Sequence, residues 1–225
     1  MPSGPLDPRH AVVVGAGPGL GAAVARRFAR EGFALTLVAR TPQTLDPLAA
    51  ELRAGGVAVT TVIADAADPV GFRAALLEVA DRVTPAVVVY NVGLVAADDL
   101  LEASAEYLLD ALAVDVVGAV TTAQVLTPGM RAAGAGTFLV TGGGPGLVPD
   151  PAHASLTLGK SALRAAVTVL HEQLAPAHVH VGSVTVVGVI APGTSLDPDR
   201  IAEHYWRLHS EPEGAWTVDV VVDGS

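Results

Sequence analysis

Apolar runs and mixed stretches alternate along the whole chain. Strands are predicted at the apolar runs 10–14, 33–39, 57–63, 86–90, 136–141, 179–187 and 215–222. Most of these runs are continuously apolar rather than alternating, which is typical of parallel strands that are covered on both faces. The pattern therefore predicts a seven-stranded sheet buried between layers of helices.

Helices are predicted in the segments between the strands, at 19–31, 42–54, 68–82, 98–127, 152–175 and 198–210. Thr41-Pro42, Asp68-Pro69 and Asp197-Pro198 each give a capping residue followed by proline at the first helical position. Six strand–helix units and a last strand predict an α/β fold: a single Rossmann-type, doubly wound parallel sheet flanked by helices. We expect one domain over residues 1–225, with residues 1–8 as a loose tail.

Composition narrows the class of protein. The chain has 225 residues, of which 51% are hydrophobic and 16% charged, so a sizeable core is expected. The net charge of −10 and the lack of any basic run disfavour a nucleic-acid partner. No uninterrupted apolar run approaches the ~20 residues of a membrane span. The absence of cysteine excludes thiolate metal sites and fits a reducing cytoplasm, so we expect a cytoplasmic protein without a metal.

A glycine-rich turn stands between the first strand and the first helix, in the segment VVVGAGPGLGAAVA. Glycines let the backbone turn tightly and approach a pyrophosphate, while the helix N-terminus supplies N–H donors and the positive end of its dipole. The spacing Gly15-x3-Gly19-x-Gly21 therefore predicts a dinucleotide site, although a tight turn without a ligand is the alternative.

Three further strand ends carry polar residues on the same edge of the predicted sheet. Arg40 follows the second strand, where an NAD site usually has an acid, so we favour NADP over NAD. A solvated surface arginine is the alternative. Asp65 ends the third strand, and Asn91 and Gly93 follow the fourth. Each of these residues is also compatible with ordinary turn chemistry.

In this order and spacing, the four features resemble the short-chain dehydrogenase/reductase family, over nearly the whole chain. The resemblance implies a nicotinamide cofactor, with an adenine-contacting acid at Asp65. It also assigns the Pro192-Gly193 pair after the sixth strand to the cofactor site. The predicted cofactor residues are Gly15, Gly17, Pro18, Gly19, Leu20, Gly21, Arg40, Asp65, Ala66, Asn91, Val92, Gly93, Lys160, Pro192 and Gly193.

The expected catalytic residues depart from that family. Its members use a serine, a tyrosine, a lysine and an asparagine, and Lys160, the only lysine here, matches the family's lysine. Aligned on Lys160, the tyrosine position is Leu156, the serine position Gly143 and the asparagine position Asp115. Since residues four apart share a helix face, a one-residue shift that offered Ser155 or Thr157 would destroy the tyrosine-to-lysine spacing. The resemblance is thus to an atypical member with degenerate serine, tyrosine and asparagine positions.

Two residues, His153 and Asp115, are candidates to act beside Lys160 in place of the missing side chains. His153 lies two helical turns before Lys160 and titrates near neutrality, so it is a candidate acid, with a solvent-facing histidine as the alternative. Asp115 either pairs with Lys160 or is a neutral change from asparagine. Only four residues, TSLD, separate Gly193 from Pro198, so the helical lid that family members usually carry is missing and the cleft should be open.

Two functions are compatible with these residues. The first is an NADP-dependent oxidoreductase acting on a small carbonyl, alcohol or enone, with Lys160 and His153 as its catalytic candidates. The second is a non-catalytic NADP-binding protein, either a sensor or a partner subunit. The sequence alone does not establish an enzyme. The nearly uncharged helices at 98–127 and 152–175 predict a homodimer or homotetramer, and the aromatics Tyr205, Trp206 and Trp216 are expected to pack the last helix.

Overall fold

The computed structural model describes residues 4–225, and its centre is a parallel seven-stranded sheet with the strand order β3-β2-β1-β4-β5-β6-β7. The predicted fold class is confirmed. The strands are β1 (Leu6–Val14), β2 (Ala34–Ala39), β3 (Val59–Ile63), β4 (Thr84–Tyr90), β5 (Gly136–Gly143), β6 (Val179–Val186) and β7 (Asp219–Val222). Because the chain order reverses between β1 and β4, their carboxyl ends flank the crevice where such sheets bind ligands.

Helices cover both faces of the sheet, as predicted. They are α1 (Leu20–Arg30), α2 (Pro42–Ala54), α3 (Pro69–Arg82), α4 (Ala105–Leu112), α5 (Gly118–Ala133), α6 (Ala154–Leu174) and α7 (Pro198–Ser210). Helices α1, α2 and α7 pack on one face and α3, α5 and α6 on the other, each against its own cluster of buried apolar side chains. The sheet is therefore buried on both faces, which explains its continuously apolar strands.

Two predicted segments differ from the structure. The loose tail expected over residues 1–8 is shorter, because Leu6 and Asp7 already pair with β4, ahead of a shift in register before Ala11. Residues 1–3 of that tail lie outside the described residues. The helix expected at 98–127 begins at Ala105, where the Ser104 hydroxyl accepts a hydrogen bond from the Tyr107 amide, and it continues to Ala133.

Helices α4 and α5 are joined without a break by a π-helical segment, Ala113–Val117. The continuous helix Ala105–Ala133 is long and apolar enough to meet the length and composition of a membrane span. The core helix of a globular domain meets the same test, and α5 packs against β4 and α3. The π-helical segment carries Asp115 into the interior, which matters for the site below.

The aromatic residues near the C-terminus pack inside the fold, as expected. Tyr205 is fully buried, and the Trp206 ring lies 5.8 Å from the ring of Phe28 and 6.1 Å from that of Phe33. The His209 ring completes this cluster between α1 and α7. Trp216 stacks on the buried His180 at 5.2 Å. Helix α7 thus supports the helix whose N-terminus meets the glycine-rich turn.

Candidate active site and cofactor cleft

The glycine-rich turn is shaped by close backbone contacts on one side and open space on the other. Gly15 has φ = +83°, and a side chain there would overlap the carbonyl group of Asn91. A side chain at Gly21 would overlap the Gly15 carbonyl oxygen. Gly17 and Gly19 face open space, with no atom within 4 Å of the position a Cβ would take. The turn is therefore held closely by the sheet while its outer surface stays accessible.

Helix α1 begins at this turn with its N-terminal amide groups uncapped by any side chain. Gly19 occupies the N-cap position and offers no side-chain hydrogen bond. The first amide groups of a helix have no intrahelical acceptor, and the helix dipole places positive potential there. Together with the open faces of Gly17 and Gly19, this arrangement fits a pyrophosphate.

A cavity of about 340 Å³ extends from the glycine turn along the carboxyl ends of β1 to β4. Arg40, Asp65 and Ala66 line it on the β2–β3 side. Asp65 Oδ1 accepts a hydrogen bond from the Ala67 amide at 3.0 Å, which fixes this turn. The remaining lining includes Gly15, Val92 and Gly93. Residues predicted from separate strand ends therefore meet around one cavity.

Asn91 connects the glycine turn to the neighbouring strand. Its Nδ2 donates to the Gly15 carbonyl oxygen at 3.0 Å, and its Oδ1 accepts from the Thr141 hydroxyl at 2.7 Å. Because the single proton of Thr141 goes to Asn91, the Tyr205 hydroxyl at 2.6 Å must donate to Thr141. Neither Thr141 nor Tyr205 belongs to a motif, so the sequence did not predict their hydrogen bond. Asn91 thus positions the turn through a chain of three polar side chains.

Lys160 lies beneath the cleft on α6, and only 7% of it is exposed. Its Nζ donates to the carbonyl oxygens of Val92, at 3.2 Å, and Thr141, at 3.1 Å. The carboxylate oxygen Oδ1 of Asp115 lies 3.8 Å from Nζ. Burial lowers the pKa of Lys160, and the Asp115 carboxylate opposes that shift. The lysine therefore joins the ends of two strands and keeps a buried counter-charge, the pairing that the sequence left as one alternative.

Asp115 is fully buried in the π-helical segment. Its Oδ1 accepts from the Leu94 amide at 3.1 Å, whereas its Oδ2 has no hydrogen-bond partner within the described residues 4–225. Burial raises the pKa of this carboxyl group, and Lys160 opposes the shift. Room for the side chain comes from Gly159, where a Cβ would lie 2.6 Å from the Asp115 Cβ. The carboxyl group and Lys160 are hence a closely packed ionisable pair.

The positions that hold serine and tyrosine in the resembled family carry no hydroxyl here. Leu156 is buried, one helical turn before Lys160 on α6. A Cβ at Gly143 would lie 3.4 Å from Cγ of Lys160, at ordinary van der Waals distance. Neither the Leu156 side chain nor the hydrogen atom of Gly143 can donate a proton to a substrate.

His153 stands at the N-cap of α6 and is engaged with a carboxylate. Its Nδ1 lies 2.8 Å from Oδ2 of Asp150, and its side chain is 36% exposed. The ring is thus held on the loop ahead of the helix rather than on the helix face that carries Lys160. Its role as a replacement acid stays a prediction.

A polar cluster that the sequence analysis missed joins the loop after β4 to the start of α6. The Ser155 hydroxyl donates to Asp98 Oδ2, and the Tyr107 hydroxyl donates to the same oxygen at 2.9 Å. The Ser155 amide donates to Asp98 Oδ1 at 3.1 Å. These hydrogen bonds, the one from the Ser155 hydroxyl above all, lower the pKa of Asp98. The cluster therefore positions the wall of the cleft.

The segment after β6 contains the predicted pair Pro192 and Gly193. The Gly193 amide donates to Asp197 Oδ2 at 2.6 Å, and Asp197 then caps α7. In this fully described stretch no helix lies between Val186 and Pro198. The sixth strand end therefore lacks a helical cover, as the short TSLD segment predicted.

Known proteins share both the sequence pattern and this architecture. The family model described as short chain dehydrogenase matches residues 9–198. The very-long-chain 3-oxoacyl-CoA reductase of Aspergillus terreus is 32% identical over 173 residues, which are 74% of this chain and 48% of that protein. The chain spans about half the length of the curated relatives it matches.

Solved structures align over nearly the entire chain. A metagenomic short-chain oxidoreductase in complex with NADP has a TM-score of 0.88 at 26% identity and covers 96% of this chain and 97% of its own. The alcohol dehydrogenase of the archaeon Thermococcus sibiricus, complexed with 5-hydroxy-NADP, has a TM-score of 0.85 at 28% identity, with 95% of each chain covered. Both of these solved structures contain a nicotinamide cofactor, NADP in one and 5-hydroxy-NADP in the other.

Proposed function

The chain belongs to the short-chain dehydrogenase family, and we propose that it is an NADP-dependent oxidoreductase acting on a small carbonyl or alcohol substrate. The observation that carries the proposal is the cofactor cleft. Its uncapped helix N-terminus, its accessible glycine turn and the cavity lined by Arg40 and Asp65 form a continuous surface. A dinucleotide needs each of these parts.

Different residues of the cleft would bind different parts of the cofactor. The first turn of α1 and the outer faces of Gly17 and Gly19 would hold the pyrophosphate. Arg40 would pair with a 2′-phosphate, since its guanidinium has no carboxylate at position 39 to compete with that anion. Lys160 would hold the nicotinamide ribose with the third N–H donor of its ammonium group, because the other two donate to the Val92 and Thr141 carbonyl oxygens. When bound, NADPH supplies the hydride.

The proton that the substrate oxygen receives must come from a different source than in the usual family pattern. Leu156 has no group to donate, and Gly143 has no hydroxyl to position a substrate oxygen. A positioned acid typically contributes ~10²–10⁴ in rate, so reduction here must take its proton from water, from the substrate or from His153. Lys160 contributes a positive charge beside the reacting oxygen, partly neutralised by Asp115 at 3.8 Å. We therefore expect slow turnover on generic ketones and alcohols.

The preference for NADP is tested by fluorescence titration of NADPH and NADH. The Arg40→Ala variant should weaken NADPH binding by roughly ten- to a hundredfold, the range expected for a lost charged hydrogen bond, and leave NADH binding unchanged. Arg131→Ala is the matched control, because Arg131 is exposed in the last turn of α5, just before β5 begins and thus at the amino ends of the strands. Equal affinity of the wild-type protein for both cofactors would contradict the role of Arg40.

The alternative function, a non-catalytic NADP-binding sensor or partner subunit, makes a different prediction. It requires NADPH binding with no hydride transfer to any substrate. The matched relatives carry the names of reductases and dehydrogenases, which supports the catalytic proposal. Hydride transfer from 4-deuterated NADPH to a panel of carbonyl compounds, followed by mass spectrometry, separates the two.

A further inference from the structure

Three loops surround the position of Lys160 at the carboxyl edge of the sheet. They follow the adjacent strands β4, β5 and β6 and comprise residues 92–97, 142–149 and 187–193. The first provides a carbonyl acceptor to Lys160, and the second packs against the lysine through Gly143 and Gly146. The third touches the second, since a Cβ at Gly144 would lie 3.3 Å from the Val187 Cα. We call these three loops the substrate rim.

The substrate rim carries exposed valines and no charged residue. Val95 is 73% exposed, Val148 74% and Val189 83%, one on each loop. None of the three segments contains Asp, Glu, Lys, Arg or His. Single exposed apolar residues are ordinary on a protein surface. Here one stands on each of three loops that follow adjacent strands at the same end of the sheet, which is where a shared apolar binding surface is expected.

The charges on the segments that continue the first two rim loops are mostly negative. The sequence has no Lys or Arg between Arg82 and Arg131, and none between Arg131 and Lys160. Asp98, Asp99 and Asp150 lie on the segments that continue the first two rim loops. The nearby lysine is buried and already paired with Asp115. Beside the first two rim loops an anionic substrate would therefore meet acidic residues, while His153, Lys160 and Arg164 are already paired with Asp150, Asp115 and Asp219.

We propose that the substrate rim binds the hydrocarbon or aromatic body of an uncharged ketone, aldehyde or alcohol, and discriminates against carboxylates, phosphates and coenzyme A thioesters. This inference rests on the proposed function, because it takes the reacting carbonyl to lie beside Lys160. In the reduction, the carbonyl carbon gains the hydride of NADPH and its oxygen gains a proton from solvent. An alcohol and NADP⁺ result.

A matched pair of ketones tests the inference directly. 2-Octanone and 7-oxooctanoate present the same methyl ketone on chains of similar length, and only the second ends in a carboxylate. Binding of each to the protein–NADP⁺ complex is measured by saturation-transfer NMR and by competition, and kcat/KM is measured with NADPH. We expect 2-octanone to be favoured at least tenfold by both measures. Equal or tighter binding of 7-oxooctanoate would overturn the inference and leave the proposed function standing.

Substitutions on the rim assign the effect to its residues. Val148→Asp and Val189→Asp should each weaken 2-octanone binding about tenfold, because each removes an apolar contact and adds a charge that must be desolvated. Val70→Asp is the matched control, since Val70 is 82% exposed on α3, away from the rim. Val148→Arg should shift the ratio of the two affinities toward 7-oxooctanoate. Rim variants that behave like Val70→Asp would overturn the inference.

Two further outcomes keep the inference separate from the proposed function. Binding of 2-octanone to the NADP⁺ complex with no hydride transfer, even in the Gly143→Ser/Leu156→Tyr variant, would refute the proposed function and support the rim as a binding surface. A change in molar mass by light scattering in Val148→Asp, with 2-octanone binding unaltered, would show that the patch is covered by a second copy of the chain. That result would refute the inference.

Discussion

The cleft has two halves that depart from the family pattern to very different degrees. Around the glycine turn, six of the residues predicted to hold the cofactor line one cavity: Gly15, Arg40, Asp65, Ala66, Val92 and Gly93. Around Lys160, the positions that the resemblance assigns to serine, tyrosine and asparagine carry Gly143, Leu156 and Asp115. The two halves are nevertheless joined by hydrogen bonds through Val92 and Thr141.

The physical basis of this difference is the kind of atom each half uses. The cofactor half works through backbone amides and close packing, so Gly15 and Gly21 cannot change without a clash with neighbouring backbone. The catalytic half works through side-chain hydroxyls that end in the cleft. Leu156 is buried, so an apolar side chain at this position adds to the core without supplying a hydroxyl. A fold thus protects backbone-mediated binding more strongly than side-chain chemistry.

The largest expected effect comes from restoring the catalytic half. Gly143→Ser with Leu156→Tyr should raise kcat for neutral ketones at least ~100-fold, because a positioned acid contributes ~10²–10⁴. The serine has room, since its Cβ would lie 3.4 Å from Cγ of Lys160. Steady-state kinetics with NADPH measures the gain, and Leu156→Phe with Gly143→Ser controls for ring volume. Rapid turnover by the wild-type protein would contradict the comparison of the two halves.

The cofactor half depends on α1, and its packing contains a titratable group. Burial, with a smaller contribution from His180, lowers the pKa of His209 to about 4. The unfolded chain binds the proton of this histidine more tightly than the folded one. The neutral His209 side chain therefore contributes stability that is complete above pH 6.5 and is lost as pH falls toward 4. Between pH 7.5 and 5, the wild type should lose about 2 kcal/mol more stability than His209→Gln. Urea unfolding at both pH values measures the difference.

Glutamine at 209 keeps a polar atom for the Thr137 hydroxyl, which is 2.9 Å from Nδ1 of His209 in the wild type. Both proteins share every other titrating group, including the carboxylates that also destabilise the fold in acid. Parallel pH curves for the two proteins would mean that His209 titrates normally, and that the aromatic cluster admits water.

The smallest expected effect separates cofactor binding from folding stability within the glycine turn. Gly17→Ala should leave the melting temperature unchanged, because nothing lies within 4 Å of its Cβ position. It should weaken NADPH binding about tenfold, since a methyl group would stand where the pyrophosphate approaches. Gly21→Ala should weaken NADPH binding and also lower the melting temperature, because its Cβ would overlap the Gly15 carbonyl oxygen. Unchanged NADPH affinity in Gly17→Ala would place the cofactor elsewhere.

The sequence predicted the sheet and the glycine-rich turn because both rest on local patterns. Continuous apolar strands and glycine spacing report backbone geometry within a few residues. The start of α4 was misplaced, since Leu100 and Leu101 extend the apolar pattern ahead of the Ser104 cap although both side chains are exposed. The Asp98–Ser155–Tyr107 cluster joins residues 57 positions apart and has no motif. Contacts of that kind depend on how two loops meet, which local patterns do not encode.

The unusual glycine at 159 also determines how far the lysine can reach. With no Cβ, it lets α6 approach the π-helical segment so closely that a methyl group would come within 2.6 Å of the Asp115 Cβ. An alanine there would act as a wedge between the two helices and would shift the adjacent Lys160 away from its carbonyl acceptors. The spacing between α6 and the π-helical segment therefore sets the position of Lys160 beneath the cleft, and a single added methyl group at residue 159 would change it.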